Sequence, residues 1–423
     1  MSLMHALVPP GDKLIFVAWV LLGLASLAVL WSVTEPISGP YEQLDPGVSK
    51  TVFIKQAIWL VISYVGLIIA TRVPLRYLDN VAIPLYLFTI LLLLLILLIG
   101  PKIGGAQRWL ALGPMRLQPS EVAKVTFIIM CASVLGRDKD RGAGFGTTLV
   151  SFAVMAVPMF LVLREPDLGT SLVFLAVWVG MIFWYGIPGI LLLAAASAVA
   201  SAVIMFYSES VAEQAWPWAA YILLILGGLY LVNWSIPAKV TVLGLNVASG
   251  IGIPFFWERL KGYQQERILT FFDPGRDAFG SGYQAIQSKV AIGSGGLFGT
   301  HYLQGTQKGL AFLPERQTDF IFSVVGEELG FLGTVVLLGL FLLIILRGVT
   351  VAATARQPYQ RFMAIGIVTY FVFHVVVNVA ITTGLLPVTG LPLPLISYGG
   401  SNLLISSVLL GLLLNVSSRT FEA

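Results

Sequence analysis

Apolar residues run along this chain in blocks of about twenty, separated by short polar breaks. Twelve such blocks are legible, at about 14–34, 52–71, 81–100, 119–136, 147–163, 169–186, 188–207, 217–235, 239–256, 320–346, 362–383 and 399–417. A helix needs roughly 20 apolar residues to cross a bilayer core. Helices are the form in which such runs satisfy their own backbone in lipid. The pattern therefore predicts an all-α, polytopic transmembrane helical bundle. The pair at 217–256 is the weakest of the set, because AKVTVLGLNVASGIGIPFF is glycine-rich and also reads as a re-entrant segment.

The one long polar stretch falls at 257–318, between the ninth and tenth blocks. Within it, YQQERILTFF sets Tyr263, Arg267 and Phe271 four residues apart, which predicts a short interfacial helix. Asp273-Pro274-Gly275 is a turn signal. No soluble domain, sequence repeat or low-complexity tail is visible. The first apolar block follows Lys13 without a small-residue cleavage site and reads as a retained span.

Composition agrees with the pattern. The chain has 423 residues, 57% hydrophobic and 11% charged, with a mean hydropathy of +0.89. That balance excludes a soluble domain, and nothing in it asks for nucleic acid. The single cysteine, Cys131, lies in an apolar run and reads as packing. The net charge of +4 gains meaning only when placed by side. With the N-terminus inside, the inner loops hold Arg72, Arg76, Arg137, Lys139, Arg141, Lys239, Arg347, Arg356 and Arg361, and Arg419 follows the last span. The positive-inside bias then puts both termini in the cytoplasm and the polar stretch outside. The outer loops keep Lys50, Lys102, Arg108, Arg116 and Arg164, a charge that suits an anionic ligand at the outer leaflet.

Four clusters carry candidate chemistry. In the polar stretch, Asp277 stands beside Arg276 and before GSG. It reads either as a surface acid or as a carboxylate placed for general-base work. Gln287, Ser288 and Lys289 precede GSGG, where Lys289 offers a point charge for a phosphate. The glycines offer either backbone N–H groups to an anion or a tight turn. In QPSEVAK, Glu121 and Lys124 are three apart on one helix face, an intramembrane pair that is either a structural ion pair or functional. Upstream, Arg108 and Arg116 bracket Trp109, a combination fitting a lipid diphosphate at headgroup level. Two smaller clusters follow. REPDLGTS holds Arg164, Glu165 and Asp167, and the broken entry to the last block holds Ser397, Tyr398, Ser401 and Asn402. Histidine and cysteine do not occur at zinc-ligand spacing.

The segments LGPMRLQPSEVAK, REPDLGTSLVF, YQQERILTFFDPGRDAFGSGYQAIQSKVAIGSGGLFG, LPERQTDFIFSVVGEELGFLG and GLPLPLISYGGSNLL resemble the SEDS family (shape, elongation, division, sporulation), in family order across most of the chain. IQSKVAIGSGGLFG and LPERQTDF resemble its elongation branch more than its division branch. The resemblance implies a peptidoglycan glycosyltransferase of the bacterial plasma (inner) membrane. It implies polymerisation of lipid II, with a class B penicillin-binding protein supplying the transpeptidase within the elongation machinery.

It also implies that Asp277 is the essential carboxylate of D-P-x-x-D-x-x-G-x-G-Y, and that Glu121 and Lys124 are the membrane acid and base of Q-P-S-E-x-x-K. Expected substrate contacts are then Glu121, Lys124, Arg108, Lys289, Gln287, Arg276 and Ser401. A divalent cation, Mg2+ or Mn2+, is an optional companion of the diphosphate, with no ligand set demanding one. The family commonly has ten spans, so residues 210–256 read as an inserted helical hairpin. The rival reading is a lipid II flippase, which calls for ionisable groups near the bilayer midplane. A non-catalytic scaffold is the third.

Overall fold

The computed structural model describes residues 9–35, 48–100, 108–112, 115–138, 144–210, 214–259, 262–273, 281–305 and 316–421. The elements in chain order are α1 (Lys13–Thr34), α2 (Thr51–Arg72), α3 (Leu75–Asn80), α4 (Ala82–Ile99), β1 (Leu110–Leu112), β2 (Met115–Leu117), α5 (Pro119–Arg137), α6 (Phe145–Arg164), α7 (Leu168–Tyr185), α8 (Gly189–Ser210), α9 (Trp216–Leu231), α10 (Ile236–Trp257), α11 (Gly262–Phe272), α12 (Ser281–Ser294), α13 (Ile321–Thr354), α14 (Pro358–Thr382) and α15 (Gly400–Phe421). Each of the twelve apolar blocks is a helix. Among the described residues, eleven are long and apolar enough to cross a membrane, and α9 is shorter, at 16 residues. The sequence reading ran its eighth block to 235. Pro237 explains the difference: the helix breaks at 232–235 and restarts with this proline in the first turn of α10. Residues 236–257 form one continuous helix.

The chain divides into two compact units, residues 1–185 with 283–423, and residues 186–282. In the first, α5 lies at the centre, packed by α4, α6, α7 and α14. Its side chains are buried on nearly every face, so a charge on α5 meets protein, not lipid. A short antiparallel hairpin, β1 with β2, pairs Leu110 with Leu117 and Leu112 with Met115, and delivers the chain to the start of α5.

Helices α1 and α13 pack together and are pinned at both ends. Asp12 caps α1 by accepting from Leu14 N–H at 2.9 Å, and its other oxygen receives Arg347 Nε at 2.6 Å. At the opposite end, Ser32 donates to the Glu328 carboxylate, whose oxygens lie 2.5 and 2.7 Å away. About twenty residues separate the pins on α1, or ~30 Å at 1.5 Å per residue, which is the thickness of a hydrocarbon core. Trp31, with Lys50 over its ring at 5.3 Å, marks the second pin as a headgroup-level boundary.

In the second unit, α8 packs against α9 and α10. Neutral polar groups tie the three together. Ser201 donates to the Asn246 carbonyl at 2.7 Å, Trp218 Nε1 to Ser201 at 2.9 Å, and Tyr221 to the Ser197 carbonyl at 2.7 Å. Asn246 Nδ2 donates to Ser197 Oγ at 2.9 Å. Helix α11 is the short helix expected from YQQERILTFF, and Phe272 at its end packs on Phe206 and Tyr207 of α8.

Candidate active site

Asp277 and Arg276 fall in 274–280, outside the described residues. The described part of the candidate site lies in the first unit and has three parts.

The first is the Glu121–Lys124 pair. Pro119 opens α5, and the i, i+3 spacing brings Lys124 Nζ to 2.8 Å from Glu121 Oε1. Both are buried, Lys124 to 1% exposure. The cation lies 5.3 Å from the centroid of the Tyr370 ring on α14, within reach of a cation–π attraction. Tyr370 in turn sits 3.1 Å from Ser406 Oγ on α15 and 4.4 Å, ring to ring, from His374. Two buried atoms around this centre have no hydrogen-bond partner among the described residues: Glu121 Oε2 and His374 Nε2. Buried polar atoms left open in this way are where a water or a ligand group belongs. Tyr370 stands twelve residues from either end of α14. The pair is therefore deeper than its place in the first turns of α5 indicated from sequence.

The second is a cage around Arg108. Its Nε donates to the Glu165 carbonyl at 3.2 Å, and its Nη2 donates to the Pro166 carbonyl. Nη1 lies 3.7 Å from Asp167 Oδ2. Asp167 also caps α7, accepting from Thr170 N–H at 3.1 Å, and receives Gln118 Nε2 at 3.4 Å. Gln118 precedes Glu121 by one helical turn, so this cage and the buried ion pair share the start of α5. The Glu165 carboxyl is 1% exposed, and neither oxygen has a partner among the described residues. Burial, reinforced by the negative Asp167 and opposed by Arg108, pushes it up to about 8. The shift favours the neutral form of this carboxyl.

The third is α12. Ser288 is buried and bolts this helix down, bonding Ser323 Oγ and the Thr382 carbonyl at 2.6 Å each. Lys289 is exposed, its stem lying across Gly384 just past the end of α14. Gln287 is half-buried. From Tyr370 to Thr382 is about 18 Å along the helix. Lys289 and Lys124 therefore stand at different levels of the same helix and do not meet. Ser401 is buried near the start of α15, one residue before Asn402.

The glycine run after α12 is explained by packing. A Cβ at Gly295 would collide with the Gly326 carbonyl, and one at Gly299 with the Glu328 carbonyl. The run presents carbonyls to α13, and Gly296 O and Leu297 O accept from Phe331 and Leu332 N–H at 2.9 and 3.1 Å. These donors would otherwise be orphaned, because Gly330, at φ 63° and ψ −163°, interrupts α13 just before them. Of the residues around Lys124, Tyr370 and Ser406 were not singled out from sequence. The available signal was a polar ring and a histidine at i, i+4, Tyr370 and His374, in the apolar middle of the helix.

Fold and site together define a polytopic membrane protein with a charged centre shut inside its bundle. The chain belongs to the FtsW, RodA and SpoVE family of cell cycle proteins, matched over residues 12–216 and 218–422. It is 35% identical over 394 residues to the peptidoglycan glycosyltransferase MrdB of Escherichia coli K12, covering 93% of this chain and 90% of that one. It is 31% identical to the peptidoglycan glycosyltransferase RodA of Treponema pallidum, covering 94% and 96%. Among solved structures, a chain of a peptidoglycan synthase complex that coordinates polymerization and crosslinking superposes with a TM-score of 0.65 at 29% identity, covering 98% and 99%. The rod shape determining protein RodA of Thermus thermophilus does so at 0.60 and 25%, covering 98% of each. The chain is a peptidoglycan glycosyltransferase of the membrane-embedded class.

Proposed function

We propose that the chain polymerises lipid II during cell elongation, with Asp277 as general base. Asp277 takes the proton from the 4-hydroxyl of the acceptor saccharide. The freed oxygen forms a bond to the anomeric carbon of the donor. The bond from that carbon to the lipid diphosphate breaks, and the diphosphate leaves with the electron pair. Positive groups stabilise the charge developing on it. Arg108 and Lys124 are assigned that role, with Glu121 orienting Lys124, and Lys289, at a different level along α14, is assigned a separate phosphate contact. Arg276, Gln287 and Ser401 are assigned contacts to the saccharide or diphosphate. The supporting observation is a fully buried lysine, held by one carboxylate oxygen and one ring face, a helical turn from the Arg108 cage.

Among the described residues, no group of three or more His, Cys, Asp or Glu side chains is placed to hold a metal ion. A divalent cation would in this reading arrive on the diphosphate, and no step above passes through one. Both termini are assigned to the cytoplasm and the 257–318 segment to the outside. The 210–256 pair is assigned as an insertion, and a class B penicillin-binding protein as partner. The partner assignment is supported by the likeness to a chain of a synthase complex.

The flippase alternative draws support from the depth of Lys124, beside the middle of α14. The test supplies lipid II to the purified chain in vesicles and measures glycan polymer and transbilayer movement separately. Polymer with no accelerated movement is expected. Movement without polymer would replace the proposal with the rival.

A further inference from the structure

The tight turn after α12 presents two large apolar side chains outward, Leu297 at 63% exposure and Phe298 at 75%. Their depth follows from hydrogen bonds. Leu332 N–H donates to the Leu297 carbonyl and Phe331 N–H to the Gly296 carbonyl, so the turn sits at the level of Phe331 and Leu332. Those residues lie three and four positions past Glu328, which marks the Trp31 boundary of the bilayer together with Ser32. Gly330 interrupts the helix between Glu328 and Phe331, so the depth is counted from the other pin. Phe331 is sixteen residues of uninterrupted helix from Arg347, or ~24 Å of a ~30 Å core. That count puts the turn a few ångströms inside the hydrocarbon.

The neighbouring surface has the same character. Leu329, Phe331 and Leu332 are exposed on α13, continuous with its lipid-facing stripe of Val335 and Val336. The turn is also braced, through Thr300 N–H to the Glu327 carbonyl at 2.9 Å and the close approach of Gly295 and Gly299 to α13. Irregular backbone at membrane depth survives only where its polar groups are satisfied by protein. Here the carbonyls of Gly296 and Leu297 and the N–H of Thr300 are spent on α13, which leaves the side chains free for lipid.

We infer that Leu297 and Phe298 form a wedge in the outer acyl layer of the bilayer, contacting lipid chains. Residues 295–300, in a segment that reads as extramembrane, are thereby seated in the membrane. This rests on the membrane reading of the fold and not on the assignment of Asp277. Under the proposed function, it holds that segment at the depth from which a lipid-linked substrate enters.

The test places a nitroxide at Phe298→Cys, and separately at Leu297→Cys, in a Cys131→Ser background. The full chain is reconstituted alone in phosphatidylethanolamine–phosphatidylglycerol vesicles. Collision with oxygen is compared with collision with a water-soluble nickel chelate. Val336→Cys, on the exposed stripe of α13, serves as the lipid control, and His301→Cys as the comparison past the turn. Labels at 297 and 298 are expected to match the 336 control, with oxygen access several-fold above nickel access. Nickel access dominating at both positions would overturn the wedge. So would shielding from both reagents, which would mark contact with protein instead. Either outcome would leave polymerisation by the same preparation intact, so failure of the wedge is distinguishable from failure of the proposed activity.

Discussion

Two sets of polar groups lie between helices in this protein and differ in kind. Around α5 and α14 the groups include a charged pair and a histidine, and two of their atoms have no hydrogen-bond partner among the described residues: Glu121 Oε2 and His374 Nε2. Among α8, α9 and α10 they are neutral serines, an asparagine, a tyrosine and a tryptophan, and they answer one another across the helices, with Asn246 Oδ1 as the exception. Neutral groups that are mutually satisfied hold helices together, with measured worth of about 0.6 kcal/mol and rarely above ~1.7. A charge pair with open valences costs stability and is kept for something else. Under the proposed function, what separates the two sets is charge combined with incomplete hydrogen bonding, not burial alone.

The comparison breaks most visibly at Lys124. Lys124→Met leaves Glu121 buried without its cation, and loss of about 3–5 kcal/mol is expected, together with loss of polymerisation. Pairing it with Glu121→Gln should recover much of the stability in detergent melts and none of the activity. Recovery of both would demote the pair to a structural one. Next in size is Gly299→Ala. At φ +84°, with the Glu328 carbonyl in the way, it should cost about 1–3 kcal/mol and lower the melting temperature. An unchanged melt would mean that the turn is not braced against α13 as described.

In the neutral set, Asn246→Ala should cost about 1 kcal/mol and leave the turnover of surviving enzyme within about twofold. A selective loss of turnover would erase the distinction between the sets. The smallest effect concerns Glu165. Its folded pKa lies above its ordinary 4.5, so the folded state holds the proton more tightly than the unfolded chain. Its contribution to stability therefore falls as pH rises from 4.5 to about 8 and is level beyond. Melts of Glu165→Gln across that window should show a shallower decline than the parent, and parallel curves would contradict the buried neutral acid.

Much of the architecture was legible in the sequence because lipid imposes a length. All twelve blocks became helices, and the overrun to 235 came from reading residues 232–235, the break before the Ile236-Pro237 restart, as helix. The Glu121–Lys124 pair was legible because its partners are three residues apart. Tyr370 was not, since it meets Lys124 from 246 positions away and only packing brings them together. The glycines after α12 were ambiguous for a related reason. Close approach of two backbones and cradling of an anion ask for the same residue, and only the position of α13 distinguishes them. Asp277 and Arg276 rest on their motif, D-P-x-x-D-x-x-G-x-G-Y.

The direct test of the account is the rate of lipid II polymerisation by Asp277→Asn, an isosteric change that keeps shape and removes the base. The proposed role predicts a fall of about 10²–10⁴-fold in polymer formation, with the variant melting like the parent. Polymerisation at near-parental rate by a folded Asp277→Asn protein would contradict it.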